Sequence, residues 1–281
     1  MDASEELIPR YIRMPDPRPP ASSPVAPSPP SSHRKRRYLG SHKTKGKAPP
    51  RCQCDPNCSN PPLPQSPFCK AHQHHCSRRA PLTGWEPAYE PDRYNRHPGI
   101  RESHNCYTYA LNYLHLPRKK NCTKKSCPLP FPQPGRASGY PRWSKVKGKR
   151  CPDLLARVMG DVPGSAPSTF EARCPAGKRK IAIVADEDQD YHLFRQDANG
   201  DWSHKPGATD VIPYDATKRR IYDPELASRD YPQTGLNYDE FCGYLCIPAT
   251  KRHHLRRGGA RKTRRSRVSS SSRSSKRSKH R

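Results

Sequence analysis

The sequence predicts an α+β domain, a short helix packed on an antiparallel sheet. Three observations carry this. Tyr107, Ala110, Leu111 and Leu114 recur at i, i+3, i+4 and i+7, which puts apolar side chains on one face of a helix. Residues 180–185 (Lys-Ile-Ala-Ile-Val-Ala) are mostly apolar, and their β-branched content favours a strand. The acidic turn at 186–190 and the Asn199-Gly200 turn then separate that run from two more strand-like runs, 191–196 and 201–205, which makes an antiparallel meander.

Composition limits how much of the chain can join this core. Of 281 residues 35 are proline, only 31% are hydrophobic, and the formal net charge is +28. A chain so poor in apolar residues cannot bury surface along its whole length, and the apolar-periodic segments fall between about Trp85 and Pro248. The charge implies polyanionic company, either nucleic acid or an acidic surface within an assembly. The first residues carry neither a basic n-region nor an apolar run, and no stretch approaches 18 apolar residues. Neither secretion through a signal peptide nor membrane spanning is therefore expected. In a reducing compartment the 12 cysteines are expected as metal ligands, nucleophiles or buried thiols more than as disulfides.

In chain order, residues 1–50 form a Pro/Ser-rich tail expected to be extended and disordered, with the basic cluster His33 to Arg37 as a nuclear-import or phosphate-contacting segment. Residues 51–78 form a Cys/His module. Cys58, Cys69 and His72, with Cys52 or Cys54 as fourth ligand, have the paired spacing that closes a tetrahedron on zinc, and the prolines between them exclude a helix. Residues 79–250 hold the α+β domain. It opens on an ordered wrap anchored by Trp85, Tyr89 and Tyr94. The helix over 103–114 follows, capped by Ser103 or Asn105, so that Cys106 lies in its first turn. There the helix dipole favours a thiolate; the alternative is a small hydrophobe in a core. A Pro/Lys-rich loop carries Cys122 and Cys127. A second helix begins at Pro152 or Asp153 with Leu154, Leu155 and Val158 inward. After the meander come further short strands over 207–221 and a closing strand within 238–248. Residues 251–281 are a second tail, rich in Arg and Ser and without acidic residues, expected to be disordered and to neutralise phosphates.

A thiol hydrolase needs a nucleophile, a base within hydrogen-bond reach and a group that orients the base. Cys106, His192 and His204 supply these types, and the Asn199-Gly200 turn would bring the two histidine strands side by side.

This order of residues resembles the papain-like cysteine peptidases and amidases of the NlpC type. The segment from Tyr191 to Gly207 and the Asn105-Cys106-x-x-Tyr109-Ala110 motif also look like those of uncharacterised proteins of large DNA viruses and phages. The stretch ending Phe68-Cys69-Lys70-Ala71-His72 resembles zinc-knuckle modules of such proteins. The resemblance implies a papain-like domain with Cys106 as nucleophile, His192 as base and His204 as orienter, and an oxyanion held by the Cys106 N–H and a nearby tyrosine. It also implies structural zinc and a place in a virion, or in the nucleus or cytoplasm of a host. Asn105 stands where those enzymes usually carry aspartate. Two other roles are compatible with the same residues: zinc bound by His192, His204 and cysteine, or a non-enzymatic basic virion or nucleic-acid-packaging protein on the same scaffold.

Overall fold

A computed structural model describes residues 49–114, 132–143 and 149–249. Both basic tails and the Cys122 and Cys127 loop lie outside them. The elements in order are α1 (Asp92–Asn95), α2 (Pro98–Ser103), α3 (Cys106–Ala110), α4 (Cys151–Asp161), β1 (Ala166–Ser168), β2 (Lys178–Asp186), β3 (Asp190–Gln196), β4 (Trp202–His204), β5 (Asp230–Tyr231), β6 (Leu236–Asn237) and β7 (Glu240–Pro248). Five strands form one antiparallel sheet in the order β1-β7-β2-β3-β4, and β5 pairs with β6 alone. The α+β expectation holds, with few helices.

The meander β2-β3-β4 pairs as its turns predict, with Ile183 opposite Leu193 and Phe194 opposite His204. The closing strand inserts between β1 and β2, making β2 central. This explains its continuous apolar run, because both of its faces are covered. On one face Ile181, Ile183 and Ala185 pack with Tyr191, Leu193 and Leu245 under α3 and α4, which contribute Tyr107, Ala110, Leu154 and Val158. On the other, Ala182, Val184 and Phe194 pack with Trp202, Phe170 and Tyr244. Each fully buried Leu, Ile or Phe there contributes about 1.5–3 kcal/mol by leaving water.

The helix around Cys106 is shorter than its periodicity suggests. Asn112, at φ 50°, leaves the right-handed region and ends it. Leu111 still reaches the core, and Leu114 packs half-buried against Tyr94, Ile100 and Tyr109. In the wrap, Tyr94 is buried and donates through its hydroxyl to the Tyr113 carbonyl at 3.2 Å, whereas Trp85 is 46% exposed. The wrap also coils into α1 and α2. Residues 207–221 form isolated bridges, Ile212 to His204, Ile221 to Trp202 and Tyr214 to Arg220, in place of the expected strands.

The cysteines depart furthest from expectation. Cys54 pairs with Cys76, Cys151 with Cys242 and Cys174 with Cys246, with Cα separations of 5.6, 4.8 and 5.5 Å. Spacing does not reveal these pairs, because their partners lie 22, 91 and 72 residues apart and meet only through the fold. The Cys/His module falls in one compact unit with the α+β body.

Candidate functional site

Two groups of chemically capable side chains stand out. The first lies at the edge of β3. Asn105 caps α3 through a reciprocal pair: its side chain accepts from the Thr108 N–H at 3.0 Å, and its own N–H donates to Thr108 Oγ1 at 2.9 Å. Of the two candidate caps, Ser103 instead ends α2, its hydroxyl donating to the Gly99 carbonyl at 2.5 Å. Cys106 is thereby the first residue of α3. Its sulfur meets the backbone N–H of Leu193, next in sequence to His192, and that of Tyr107. Burial pushes this thiol up to about 12, with the nearby Asp190 carboxylate adding to the rise. The residue is 5% exposed.

His192 and His204 are brought together, with His192 Nε2 2.7 Å from His204 Nδ1. His204 Nε2 lies 2.8 Å from the Tyr214 carbonyl oxygen, which can only accept, so that nitrogen carries the proton. Nδ1 of His204 is then an acceptor, the proton between the rings belongs to His192 Nε2, and His192 Nδ1 is left as the basic nitrogen. Burial, and then the neighbouring His204, holds His192 well below the usual imidazole range. Burial brings His204 down to about 4, against the opposing pull of the Tyr214 carbonyl. Both rings are neutral at neutral pH.

A clamp fixes α3 against these strands. Arg195 on β3 stacks its guanidinium 3.9 Å over the Tyr109 ring and donates to the Tyr109 hydroxyl at 2.7 Å and to Asp197 at 2.9 Å. The Tyr109 hydroxyl meets Ser203 Oγ at 2.6 Å, and Ser203 donates to Asp197. All four residues are buried. The clamp is not among the residues the sequence singles out, although an Arg and an Asp two apart at the end of an apolar strand would share a face, and such a pair inside a core must be mutual.

The second group is the Cys/His module. Cys52, Cys58, Cys69 and His72 place one ligand atom each within 4.8 Å of one another and could hold a metal ion. Cys52 Sγ and Cys69 Sγ each lie 3.4 Å from His72 Nδ1, and Cys58 Sγ is 3.7 Å from Cys69 Sγ. Burial would raise the Cys69 thiol, but hydrogen bonding from Cys52 and the backbone N–H groups of His72 and Ala71 outweighs it, bringing Cys69 down to about 7. Cys54 is excluded as a ligand because its sulfur is bonded to Cys76, which leaves Cys52 as the fourth. Gln53 between them points away into the α+β body. Its Oε1 accepts from the N–H groups of Tyr222 at 2.7 Å and Asp223 at 3.1 Å, and its Nε2 donates to the Arg220 carbonyl at 3.3 Å. Among the described residues the only group of three or more such side chains close enough to share a metal is this one; His192 and His204 are not part of another.

No protein-family model matches the chain, and no solved structure matches it. It is 32% identical over 160 residues, 57% of its own length, to insoluble matrix shell protein 1 of Ruditapes philippinarum, and the match spans 88% of that protein. The chain belongs to the family of this insoluble matrix shell protein.

Proposed function

We propose that the β3 edge is a papain-like thiol hydrolase site acting on amide or thioester linkages. The observation that carries this reading is the proton order of the histidine pair, which leaves His192 Nδ1 basic beside the strand position that Cys106 touches. In such a site Cys106 Sγ attacks the carbonyl carbon as its proton passes to His192 Nδ1, and the C–N bond breaks as that proton moves to the leaving amine. Water then cleaves the thioester, giving the acid and the free thiol. His204 keeps the His192 ring oriented, and the Cys106 N–H is a donor for the oxyanion. Because thiol and imidazole both rest neutral, His192 acts as a general base and not as half of a preformed ion pair.

The experiment is labelling by iodoacetamide at neutral pH, read by peptide mass spectrometry. Cys106 should be modified in the native chain and lose most of its reactivity in His192→Ala. Labelling at Cys106 that is slow and indifferent to His192 would sink the hydrolase.

In the same reading the Cys/His group binds zinc. With Zn–S bonds of about 2.3 Å and Zn–N bonds of about 2.0 Å, a tetrahedron has S···S edges of about 3.8 Å and S···N edges of about 3.5 Å. The separations of 3.7 and 3.4 Å match both. Zinc would be structural there, since four protein ligands close the coordination sphere.

A second reading is favoured by the relative's name and by the burial of Cys106: a non-enzymatic basic component of an insoluble matrix or particle, held by disulfides and metal. Here the net charge of +28 recruits nucleic acid or another polyanion. A chain that retains matrix or polyanion binding in Cys106→Ser, with no thiol reactivity to lose, would establish this reading over the first.

A further inference from the structure

We infer that metal at Cys52, Cys58, Cys69 and His72 orders the histidine pair at a distance, with Gln53 as the positioning residue. This rests on the zinc reading above. The path is short, and each link is a hydrogen bond or a backbone bridge. Gln53 is 1% exposed and sits between Cys52, a metal ligand, and Cys54, fixed to Cys76. With both neighbours pinned, its side-chain amide is held in one orientation. It donates to the Arg220 carbonyl; Arg220 bridges Tyr214 across an antiparallel pair; and the Tyr214 carbonyl takes the proton of His204 Nε2, which fixes the protons of His204 and His192. The same segment is laced to β4 by the mutual hydrogen bonds of His204 and Ile212, both 2.9 Å.

The physical basis is the poverty of the module's own core. It consists of Cys52, Cys54 and Cys69, with Cys58, Phe68 and Cys76 against them. Such a cluster buries too little apolar surface to hold Cys52 without metal. Loss of the ion therefore frees Cys52, lets the Gln53 amide rotate, and loosens the 212–223 segment from which His204 takes its orientation. Phe68 also touches Tyr222, ring to ring at 4.7 Å, but this contact packs the two segments without directing a hydrogen bond.

The test is amide hydrogen exchange of the full chain with zinc bound and after chelation, beside metal analysis. Removal of zinc should speed exchange at the His204 and Ile212 amides by about tenfold or more, and leave Ile183 and Leu245 in the central strands unchanged. In Gln53→Leu the two amides should exchange fast whether or not zinc is present, while one zinc per chain remains bound. If zinc binds but its removal leaves His204 and Ile212 as protected as before, the coupling is wrong and the metal site stands. If Gln53→Leu exchanges faster yet still responds to zinc as the native chain does, Gln53 is a structural residue only and the inference fails. If the native chain binds no zinc, the metal reading itself falls, and the coupling with it. The native comparison decides the matter even if the variant does not fold.

Discussion

At the scale of single residues, the buried histidines set a pH dependence whose sign follows from their direction of shift. A neutral imidazole whose folded value lies below its unfolded one resists protonation only while folded. As pH falls through the ordinary value near 6.5, the unfolded chain gains protons that the folded chain does not. Stability contributed by His204 is therefore present above about 6.5, lost progressively below it, and levels off near 4 where the folded ring itself protonates. The span of that loss is about 3 kcal/mol for His204. Urea unfolding at pH 7 and pH 4.5 should show the native chain losing more stability than His204→Gln, which has no proton to gain. Equal losses in the two chains would mean that the ring is already charged or solvated in the fold. The same burial that depresses the imidazoles keeps the Cys106 thiol protonated, so the helix-dipole argument for a thiolate, sound for an exposed first turn, is overridden here by desolvation.

At the scale of elements, the placing of α3 on β3 and β4 depends on the clamp of Arg195, Asp197, Tyr109 and Ser203. Its charged members are 2% and 1% exposed, so removing one leaves the other's charge buried without its partner. Arg195→Ala should cost about 3–5 kcal/mol in denaturant unfolding. Arg93→Ala, which breaks the surface pair with Glu90, should cost less than about 1 kcal/mol. A loss below about 1 kcal/mol for Arg195→Ala would show that Asp197 finds water or is protonated in the fold. The elements themselves were partly legible in the sequence. The two turns determined the meander and its register, because each sits between runs of alternating or apolar character that pair only one way. The capped start of α3 could be read from Asn105, but its end could not: Asn112 has no sequence mark that separates a left-handed cap from an ordinary polar helix position. The insertion of β7 beside β2 was invisible for another reason. Strand order depends on long-range pairing, and periodicity describes each strand alone. Two of the disulfides, Cys151 with Cys242 and Cys174 with Cys246, share that cause, since each has one cysteine on β7.

At the scale of the whole molecule, charge and cross-linking divide the chain. Among the described residues three disulfides, the Cys/His group and the two apolar clusters all lie between residues 52 and 247, while residues 251–281 carry fourteen Lys and Arg and no acidic side chain in the sequence. Half of the net charge of +28 is thus concentrated in the last 31 residues. A polyanion held by such a segment is bound by release of condensed counterions. The logarithm of its affinity should then fall linearly with the logarithm of salt, with a slope near −0.9 for each phosphate neutralised on a duplex. If the segment engages about half of its cations, the full chain should show a slope of about −6, and a chain ending at residue 250 should lose most of it. Titration of a fluorescent DNA duplex between about 50 and 200 mM salt measures both. An unchanged slope on truncation would move the polyanion contact to the remaining fourteen net positive charges, and a flat slope in the full chain would replace counterion release with another form of recognition. Either hydrolysis or matrix assembly is compatible with a steep slope. Combined with thiol labelling, however, the salt dependence separates an enzyme tethered to a polyanion from a matrix component that only condenses it.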